Sequence, residues 1–271
     1  MVEAWDRLHS GELRVAGRVS TASNVTLVCD IGDTDDDTEQ PPLRVVYKPI
    51  RGERPLWDFP DGTLAGREVA SYLISEAIGW GVIPETILRE GPFGLGMVQR
   101  WVQGVDNHTE RGTRLDLIDL CPTGAVPDGF REVLRALDQE GNPVSLIHAD
   151  DPRLQRVAVL DVLLNNADRK GGHALESVDG QVYGVDHGIC LHTEDKLRTV
   201  LWGWAGQPIS AELITDITAF ATRLPGRVAD TLSEHITDAE IDALIERTRH
   251  MVGNPVMPVP RTARPIPWPA L

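Results

Sequence analysis

Two aspartates lie on neighbouring polar loops in the second half of the sequence. Asp168 follows the apolar run Val157–Leu164, and Asp186 comes after a short predicted hairpin, on a predicted strand with apolar flanks. Phosphoryl transfer uses one carboxylate to orient or deprotonate the acceptor hydroxyl and another to bind a metal ion. The same two residues also fit a simpler interpretation, in which Asp168 belongs to a helix C-cap and Asp186 to a β-turn.

The first half of the chain is predicted to be mainly a sheet with one helix. Lys48 lies near the end of a β-branched strand, and Glu68 lies on the helix that follows it. Kinases use such a pair to orient the α- and β-phosphates, whereas the alternative is a surface lysine near a strand end. The apolar alternation predicts strands at Leu13–Val15, Val25–Val28, Leu43–Pro49, Glu85–Leu88 and Leu95–Val102, and a period near 3.6 predicts a helix over Gly62–Ile78.

The turn between the first two strands contains Ser20 and Ser23 in a stretch rich in small polar residues. Backbone N–H groups and hydroxyls of such a turn can cover a phosphate. An ordinary hairpin turn is the alternative. On the helix, Glu76 competes with Glu68 as the partner of Lys48. Glu68 is preferred because the beginning of the apolar face of the helix lies nearer the strand.

The second half is predicted to be helical. Helices are expected at Asp128–Glu140, Pro152–Asn165, Ala211–Leu224 and Thr237–Val252, with Asp151-Pro152 and the Thr237-to-Glu240 capping box as their start signals. A strand is expected at Tyr183–Leu191. The tail Asn254–Leu271 contains six prolines, so we expect it to be extended and either draped over the body or mobile, with Trp268 as a docked anchor.

Composition limits the class of partner. The chain has 271 residues, 41% of them hydrophobic and 25% charged, which is typical of a globular protein, and its net charge is −15. Such a surface repels phosphate backbones and anionic membrane faces, so nucleic acid is not expected as a partner. A local basic pocket can still hold a nucleotide. No pattern in the sequence specifies an oligomeric state.

The cysteines and the N-terminus predict a cytoplasmic protein. Cys29, Cys121 and Cys190 are far apart and lack metal-binding spacing, as expected in a reducing compartment. Met1–Ser10 carries charge and lacks the apolar core of a signal peptide, and no apolar run is long enough to span a membrane. No stable membrane insertion is therefore expected.

In their order and spacing, four motifs resemble those of the atypical kinases of the phosphatidylinositol 3-/4-kinase-like and HipA-like branch, including short actinobacterial members. The motifs are Tyr47-Lys-Pro49, Arg67-Glu68, Asn165–His173 and Val185–Gly188, and the resemblance covers Gly11–Val252. It implies an α+β, two-lobed protein-kinase-like fold with ATP and Mg²⁺ or Mn²⁺ as ligands. The implied division is a β-rich N-lobe at 1–103, a mainly helical C-lobe at 104–253 and a Pro-rich tail at 254–271.

The resemblance also implies roles for single residues. Lys48 would contact the α- and β-phosphates and Glu68 would hold it, while Asp168 would act as the base and Asp186 as the metal ligand. Lys170 lies two positions after Asp168, where conventional protein kinases have a lysine that neutralises the transferred phosphate. The adenine hinge would be formed by Gln99, Trp101 and Val102.

His173 departs from the family pattern. It lies five positions after Asp168, where the family has an asparagine that binds the metal. Imidazole suits Mg²⁺ less well than an amide oxygen does. His173 could therefore shift the metal preference towards Mn²⁺, Asn166 could replace it as a ligand, or transfer could be slow or absent.

The implied function is ATP-dependent phosphorylation of a protein hydroxyl or of the protein itself. A lipid headgroup is a weaker candidate because Ile189–Gln207 has only Lys196 and Arg198 against two acidic residues. A nucleotide-binding pseudokinase that acts as a scaffold is the alternative from another functional class. Nucleotidyl transfer and small-molecule phosphorylation on the same fold are further alternatives.

Overall fold

A five-stranded antiparallel sheet forms the N-terminal part of the protein, in the order β1-β2-β3-β5-β4. The structure is a computed structural model that describes residues 2–19, 24–32, 41–54, 56–59, 64–105 and 114–271. The first helix, α1 (Val2–Ser10), precedes the sheet and was not expected from the sequence. The strands are β1 (Leu13–Arg18), β2 (Leu27–Ile31), β3 (Leu43–Pro49), β4 (Thr86–Gly91) and β5 (Gly94–Arg100).

Strand β3 separates the core from the cleft by simple alternation. Val45 and Tyr47 are fully buried in the apolar cluster beneath α1, because successive side chains of a strand point to opposite faces. Val46 and Lys48 therefore point to the other face, where both line the large cleft of the molecule. This alternation is the one that the sequence predicts for Lys48.

Helix α2 (Leu64–Ile78) connects this sheet to the rest of the molecule. Ala65 and Val69 pack against Met97 of β5, whereas Ile74 and Ile78 belong to the larger core of the C-terminal part. A helix that is buried on nearly all sides must be apolar around most of its circumference. The charged pair Arg67 and Glu68 is the exception, and both side chains are buried.

The C-terminal part is built mainly of helices around one large apolar core. The helices are α3 (Pro152–Leu164), α4 (Ala211–Arg223), α5 (Ala229–Leu232) and α6 (Asp238–Gly253), and the remaining strands are β6 (Ile118–Pro122), β7 (Phe130–Leu137), β8 (Pro143–Ala149), β9 (Ala174–Glu176) and β10 (Val182–Gly184). The α+β, two-lobed kinase-like fold expected from the sequence is therefore present, with a β-rich N-terminal and a helical C-terminal part.

The predicted helix over Asp128–Glu140 is wrong, because this segment forms β7 of a three-stranded sheet with the order β6-β8-β7. Leu134 and Leu137 fit a helical spacing, but Leu137 is exposed and Leu134 pairs with Leu146 of β8. The Asp138 side chain accepts hydrogen bonds from the amides of Glu140 and Asn142, which closes a hairpin turn. Local turn chemistry and strand pairing thus override a weak helical pattern.

The predicted helix caps are present. Asp151 caps α3 by accepting a hydrogen bond from the amide of Arg153 at 2.7 Å, and Pro152 occupies the first turn. Thr237 and Glu240 form the reciprocal capping box of α6. The predicted strand Tyr183–Leu191 is shorter than expected, because only Val182–Gly184 pairs with β9. None of the helices in the described ranges combines the length and apolar character needed to cross a bilayer.

The proline-rich tail lies against the body of the protein, as one of the two predicted alternatives states. Met257 is buried, and the carbonyl of Pro265 accepts hydrogen bonds from the Thr199 amide and the Trp202 indole. Trp268 is not the anchor that the sequence suggests, since it is 91% exposed. The tail is instead held through its backbone and its smaller apolar side chains.

His148 on β8 is a fully buried histidine whose ring nitrogens both have partners. Its Nδ1 donates to the carbonyl of Ala149, and its Nε2 accepts from the amide of Gly203 at 3.0 Å. Burial, reinforced by the nearby Arg131, lowers the pKa of His148 to about 4, against the opposing effects of the Ala149 carbonyl and Asp150. The neutral ring is therefore part of the folded structure.

We expect stability to fall as the pH decreases from about 6.5 to 4, by about 3 kcal/mol from His148 alone. In this window the unfolded chain binds a proton at His148 that the folded chain excludes, so lower pH favours unfolding. Urea unfolding at several pH values measures the effect. His148→Gln should have a flatter pH dependence of the unfolding free energy than the wild type. The exposed His250→Gln serves as the control, and equal slopes in all three proteins would contradict the assignment.

Candidate active site

Lys48 on β3 contacts two carboxylates that come from different parts of the chain. Its Nζ lies 2.5 Å from Oε1 of Glu68 on α2 and 2.7 Å from Oδ1 of Asp186. The second oxygen of Glu68 accepts a hydrogen bond from the amide of His187 at 3.0 Å. Glu68 thus holds both the strand lysine and the loop that carries Asp186. Of the two candidate glutamates on α2, Glu68 and not Glu76 pairs with Lys48.

Lys48 stabilises both carboxylates and is stabilised by them, whereas the two carboxylates repel one another. Burial, together with the charge of Asp186, raises the pKa of Glu68 against the opposing charge of Lys48. Burial lowers the pKa of Lys48, but the carboxylates of Asp186 and Glu68 together outweigh it and hold the pKa above its ordinary value. The Lys48 charge, against the effect of burial, keeps the pKa of Asp186 well below its usual range. Lys48 is therefore protonated and Asp186 ionised at neutral pH, which is the state that binding a phosphate and a cation requires.

Asp186 lies in a loop and not on a strand, contrary to the expectation from the sequence. It comes two residues after the end of β10 and has a φ of 61°. This left-handed backbone conformation is uncommon for a residue other than glycine. Its side chain is 47% exposed and opens into the cleft. The local turn therefore directs the carboxylate away from the core, towards the cavity.

Asp168 is positioned by the loop that follows α3. Its amide donates to the Oδ1 atom of Asn166 at 2.9 Å, and Asn166 in turn donates to Asp161 of α3. The Asp168 carboxylate lies 3.0 Å from Nζ of Lys170, and each side chain is about a quarter exposed. The structure therefore brings the predicted base and the predicted phosphate-neutralising lysine into contact at the cleft.

Arg169, between these two residues, was not identified from the sequence. Its guanidinium is fully buried and forms a bidentate pair with Asp161 at 2.8 and 2.9 Å. The remaining N–H groups donate to the carbonyls of His173 and Val185 and to Nε2 of His187. All five donors of the guanidinium thus have acceptors. Arg169 connects the Asp168 loop to the Asp186 loop.

A signal for Arg169 was present in the sequence. Asp161 interrupts the apolar run Val157–Leu164, on a helix whose other residues in that run are buried or half-buried. A carboxylate in such a place requires a partner, because an isolated buried charge is strongly unfavourable. Arg169, next to the candidate base and eight positions after Asp161, was one nearby cation in the sequence, and Arg156, five positions before Asp161, was another. The partner could therefore have been proposed, although its contacts with the second loop could not.

His173 faces Asp186 with one ring nitrogen and a backbone carbonyl with the other. Its Nδ1 lies 3.0 Å from the carbonyl oxygen of Asp168, which can only accept, so Nδ1 carries the hydrogen. Burial lowers the pKa of His173, despite the opposing charge of Asp186, which favours the neutral ring. Nε2, the other ring nitrogen, lies 3.4 Å from Oδ2 of Asp186, and in the neutral ring this nitrogen carries a lone pair.

Two acceptors that face one another at this distance fit a cation between them. Histidines that bind metals usually donate their other N–H to a carbonyl or a carboxylate, as His173 does. In the described part of the chain, no three His, Cys, Asp or Glu side chains gather into a ready-made metal site. The remaining ligands would have to be waters and phosphate oxygens, as is common for magnesium in nucleotide enzymes.

The cleft that contains these residues has a volume of about 740 Å³, within the usual range for small-molecule sites. Its polar wall includes the residues described above. Apolar side chains from both parts of the molecule also line it, which suits a planar base, and they include Val25, Val46, Val102, Leu175, Val185 and Ile189.

The residues predicted to form the adenine hinge also line this cleft, but two of them already have partners. The Gln99 side chain is buried and donates to the hydroxyl of Thr86 at 2.9 Å. The Trp101 amide donates to the carbonyl of Arg44, while the Trp101 ring is 40% exposed. Val102 is buried at the cleft wall. The predicted phosphate-loop residues Ser20 and Ser23 lie outside the described residues.

Comparison of the sequence with known proteins found one close relative. The chain is 53% identical to protein Rv2133c of Mycobacterium tuberculosis over 267 residues, which cover 97% of this chain and 94% of that protein. No protein-family model matches the chain.

Solved structures of kinases share the fold at 12% sequence identity. The Golgi casein kinase with Mn/ADP bound gives a TM-score of 0.55 over 93% of this chain and 74% of that chain. A hydra Fam20 structure with sugar gives 0.53 over 93% and 88%, and a second Golgi casein kinase structure gives 0.52 over 92% and 73%. The chain therefore has the fold of these atypical kinases.

We expect Arg169→Gln to destabilise the protein by about 3–5 kcal/mol, because it leaves the Asp161 carboxylate buried without its cation. Urea unfolding of the purified variant measures this loss. The double variant Asp161→Asn/Arg169→Gln should lose less than the sum of the two single variants, since the uncompensated charge is gone. Arg249→Gln, which breaks an exposed pair on α6, should change stability by less than about 1 kcal/mol. A neutral Arg169→Gln would refute the proposed importance of this contact.

Proposed function

The chain belongs to the family of protein Rv2133c of Mycobacterium tuberculosis, and we propose that it is an ATP-dependent phosphotransferase acting on a protein hydroxyl. The observation that carries the proposal is the contact of Lys48 with both Glu68 and Asp186, in a cavity that Asp168 also lines. A strand lysine held by a helix glutamate is the arrangement with which kinases orient the α- and β-phosphates. The shared fold with kinases supports the same reaction class.

In this proposal Asp186 and His173 hold a divalent cation, Mg²⁺ or Mn²⁺. The donor set supports this role, because an ionised carboxylate and the Nε2 lone pair of His173 face one another. A bound cation would neutralise charge on the β- and γ-phosphates. The Golgi casein kinase, which shares the fold, has a structure with Mn/ADP bound. Imidazole as a ligand favours Mn²⁺ over Mg²⁺.

Asp168 and Lys170 act on the transferred group. The acceptor oxygen forms a bond to the γ-phosphorus while the bond from that phosphorus to the bridging oxygen of ADP breaks. The acceptor proton passes to the Asp168 carboxylate, which acts as the base. The Lys170 ammonium offsets the negative charge of the phosphoryl oxygens. Positioning and electrostatics supply most of the rate enhancement in such reactions.

A protein is favoured as the acceptor over a lipid headgroup. Lys170 occupies the position of the protein-kinase lysine in the sequence resemblance. Lys196, one of the two cations between Ile189 and Gln207, already pairs with the carboxylates of Asp58 at 3.3 Å and Glu194 at 3.5 Å, which compete with a phosphoinositide for its charge. The finer assignment to the phosphatidylinositol 3-/4-kinase-like and HipA-like branch remains a prediction from the motifs.

We also propose that residues 1–103 and 104–253 act as the two lobes that enclose the nucleotide.

A cytoplasmic location fits the cysteines, because Cys29, Cys121 and Cys190 are all buried as free thiols. Proteins of oxidising compartments usually pair such residues in disulfides.

Incubation with γ-labelled ATP and Mn²⁺ should label the protein itself or added dephosphorylated casein. Asp168→Asn should slow transfer by at least about 100-fold without weakening nucleotide binding, because it removes only the proton acceptor. Asp186→Asn should weaken cation-dependent binding of a fluorescent ATP analogue. The exposed Asp242→Asn should behave like the wild type in both assays.

The outcomes separate the proposed function from its alternatives. Transfer that survives both active-site substitutions would show that the reacting groups lie elsewhere. Label from α-labelled ATP would indicate nucleotidyl transfer instead. Nucleotide binding without transfer to any acceptor would favour a pseudokinase scaffold, which the histidine at position 173 already makes a serious alternative.

His173→Asn should shift the metal preference towards Mg²⁺ by about tenfold or more, because an amide oxygen replaces the imidazole nitrogen. Affinity for the fluorescent ATP analogue, measured with each cation separately, gives the ratio without requiring turnover. His250→Asn on the protein surface is the matched control. An unchanged ratio would exclude His173 as a ligand.

A further inference from the structure

The end of the tail enters the cleft next to the loop that follows α3, which carries Asp168 and Lys170. The carbonyl of Ala270 accepts a hydrogen bond from the amide of Gly171 at 2.8 Å, and Pro269 and Leu271 line the same cavity as Lys48 and Asp168. Gly171 directly follows Lys170. The occupied surface therefore adjoins the groups proposed to act on the transferred phosphoryl group.

The glycine at position 171 leaves the space that Leu271 occupies. A Cβ atom there would lie 2.5 Å from Cδ2 of Leu271 and 3.3 Å from Cγ2 of Ile118. A side chain at this position would force the half-exposed Leu271 side chain to move. Gly171 and Ile118 together thus form a small apolar seat with a backbone donor at its edge. We call this surface the Gly171 seat.

The tail segment that ends in the Gly171 seat resembles a bound peptide that cannot be phosphorylated. Residues 264–271 contain no serine, threonine or tyrosine, so they offer no hydroxyl to accept a phosphoryl group. Prolines at 265, 267 and 269 restrict the backbone before it binds, which lowers the entropy lost on docking. The segment is held at two points by its own carbonyls, those of Pro265 and Ala270.

We propose that the Gly171 seat binds the acceptor as an extended polypeptide segment, and that residues 269–271 occupy this seat as a non-reactive substitute. The proposal rests on the function proposed above and names the form of its substrate. A backbone N–H at Gly171 and an apolar contact at Ile118 recognise a main-chain carbonyl followed by an apolar side chain. The apolar contact at Ile118 matches a hydrophobic side chain better than a sugar hydroxyl or a charged lipid headgroup.

The tail then competes with the acceptor. Because it is part of the same chain, its effective concentration at the seat is high, of the order of millimolar for a short connection. A separate acceptor must displace it, and loosening the tail should increase the apparent affinity for acceptors. Nucleotide affinity should change little.

The first test measures binding without turnover. A full-length variant with Pro269→Gly, Ala270→Gly and Leu271→Gly should release the seat, because it loses the apolar contact and the stiff backbone. A peptide of residues 264–271, labelled at its N-terminus, should bind this variant at least tenfold more tightly than the wild type by fluorescence anisotropy. A peptide with Leu271→Asp should not bind. One with Trp268→Ala should bind normally, since that side chain is exposed. Equal binding of the native peptide to wild type and variant would overturn the proposal.

The second test uses transfer from ATP to dephosphorylated casein. The triple-glycine variant should have at least a tenfold lower KM for casein with an unchanged KM for ATP, and the native peptide should inhibit it competitively against casein. The full-length Trp268→Ala protein serves as the control. Competition with ATP, or transfer that neither the tail nor the peptide affects, overturns the acceptor seat but leaves the phosphotransferase function intact. Absence of transfer in every variant refutes the proposed function, and with it the assignment of an acceptor.

Discussion

The buried guanidinium of Arg169 is the contact on which the candidate site depends. A charge removed from water is tolerated only when hydrogen bonds replace its hydration. Here the Asp161 carboxylate supplies two of the bonds, and the carbonyls of His173 and Val185 supply two more. Because the acceptors come from α3, the loop after it and the loop after β10, satisfying one side chain fixes three segments. The separation of the Asp168 and Asp186 carboxylates follows from this constraint.

A second buried contact fixes the N-terminal part against this frame. Arg67 on α2 pairs with Glu240 of α6 at 2.5 Å and donates to the carbonyl of Cys190, while the next residue, Glu68, holds Lys48. Arg67 thus contacts the C-terminal helices, whereas the adjacent residue Glu68 faces the cleft. Because adjacent residues of α2 form these two pairs, α2 connects Lys48 to the packing of α6. Glu240 is also part of the capping box of α6, so the Arg67–Glu240 pair lies at the start of that helix.

Local patterns predicted the elements whose partners are near in sequence. Alternation located β3 and the face of Lys48, and the capping residues located the beginnings of α3 and α6. The same logic was wrong for Phe130–Leu137, where a helical spacing exists but pairing with β8 decides the structure. Arg169 and the entry of residues 269–271 into the cleft were missed for a related reason. Their stability comes from acceptors and space provided by distant segments, such as the carbonyl of Val185 and the vacant Cβ position of Gly171.

The charge of the cleft bears on both the proposed cation and the tail segment that occupies part of the cavity. The carboxylates in the cavity outnumber the ammonium and guanidinium groups, and the protein as a whole has a net charge of −15. A triphosphate would therefore meet net repulsion unless divalent cations entered with it, and Asp186 with His173 is the donor pair that could hold one. The uncharged side chains of residues 269–271 meet no such repulsion, so their position beside the loop of the candidate base Asp168 is compatible with a bound nucleotide. The charged groups that line the cavity are Lys48, Glu53, Glu68, Arg100, Asp168, Lys170 and Asp186.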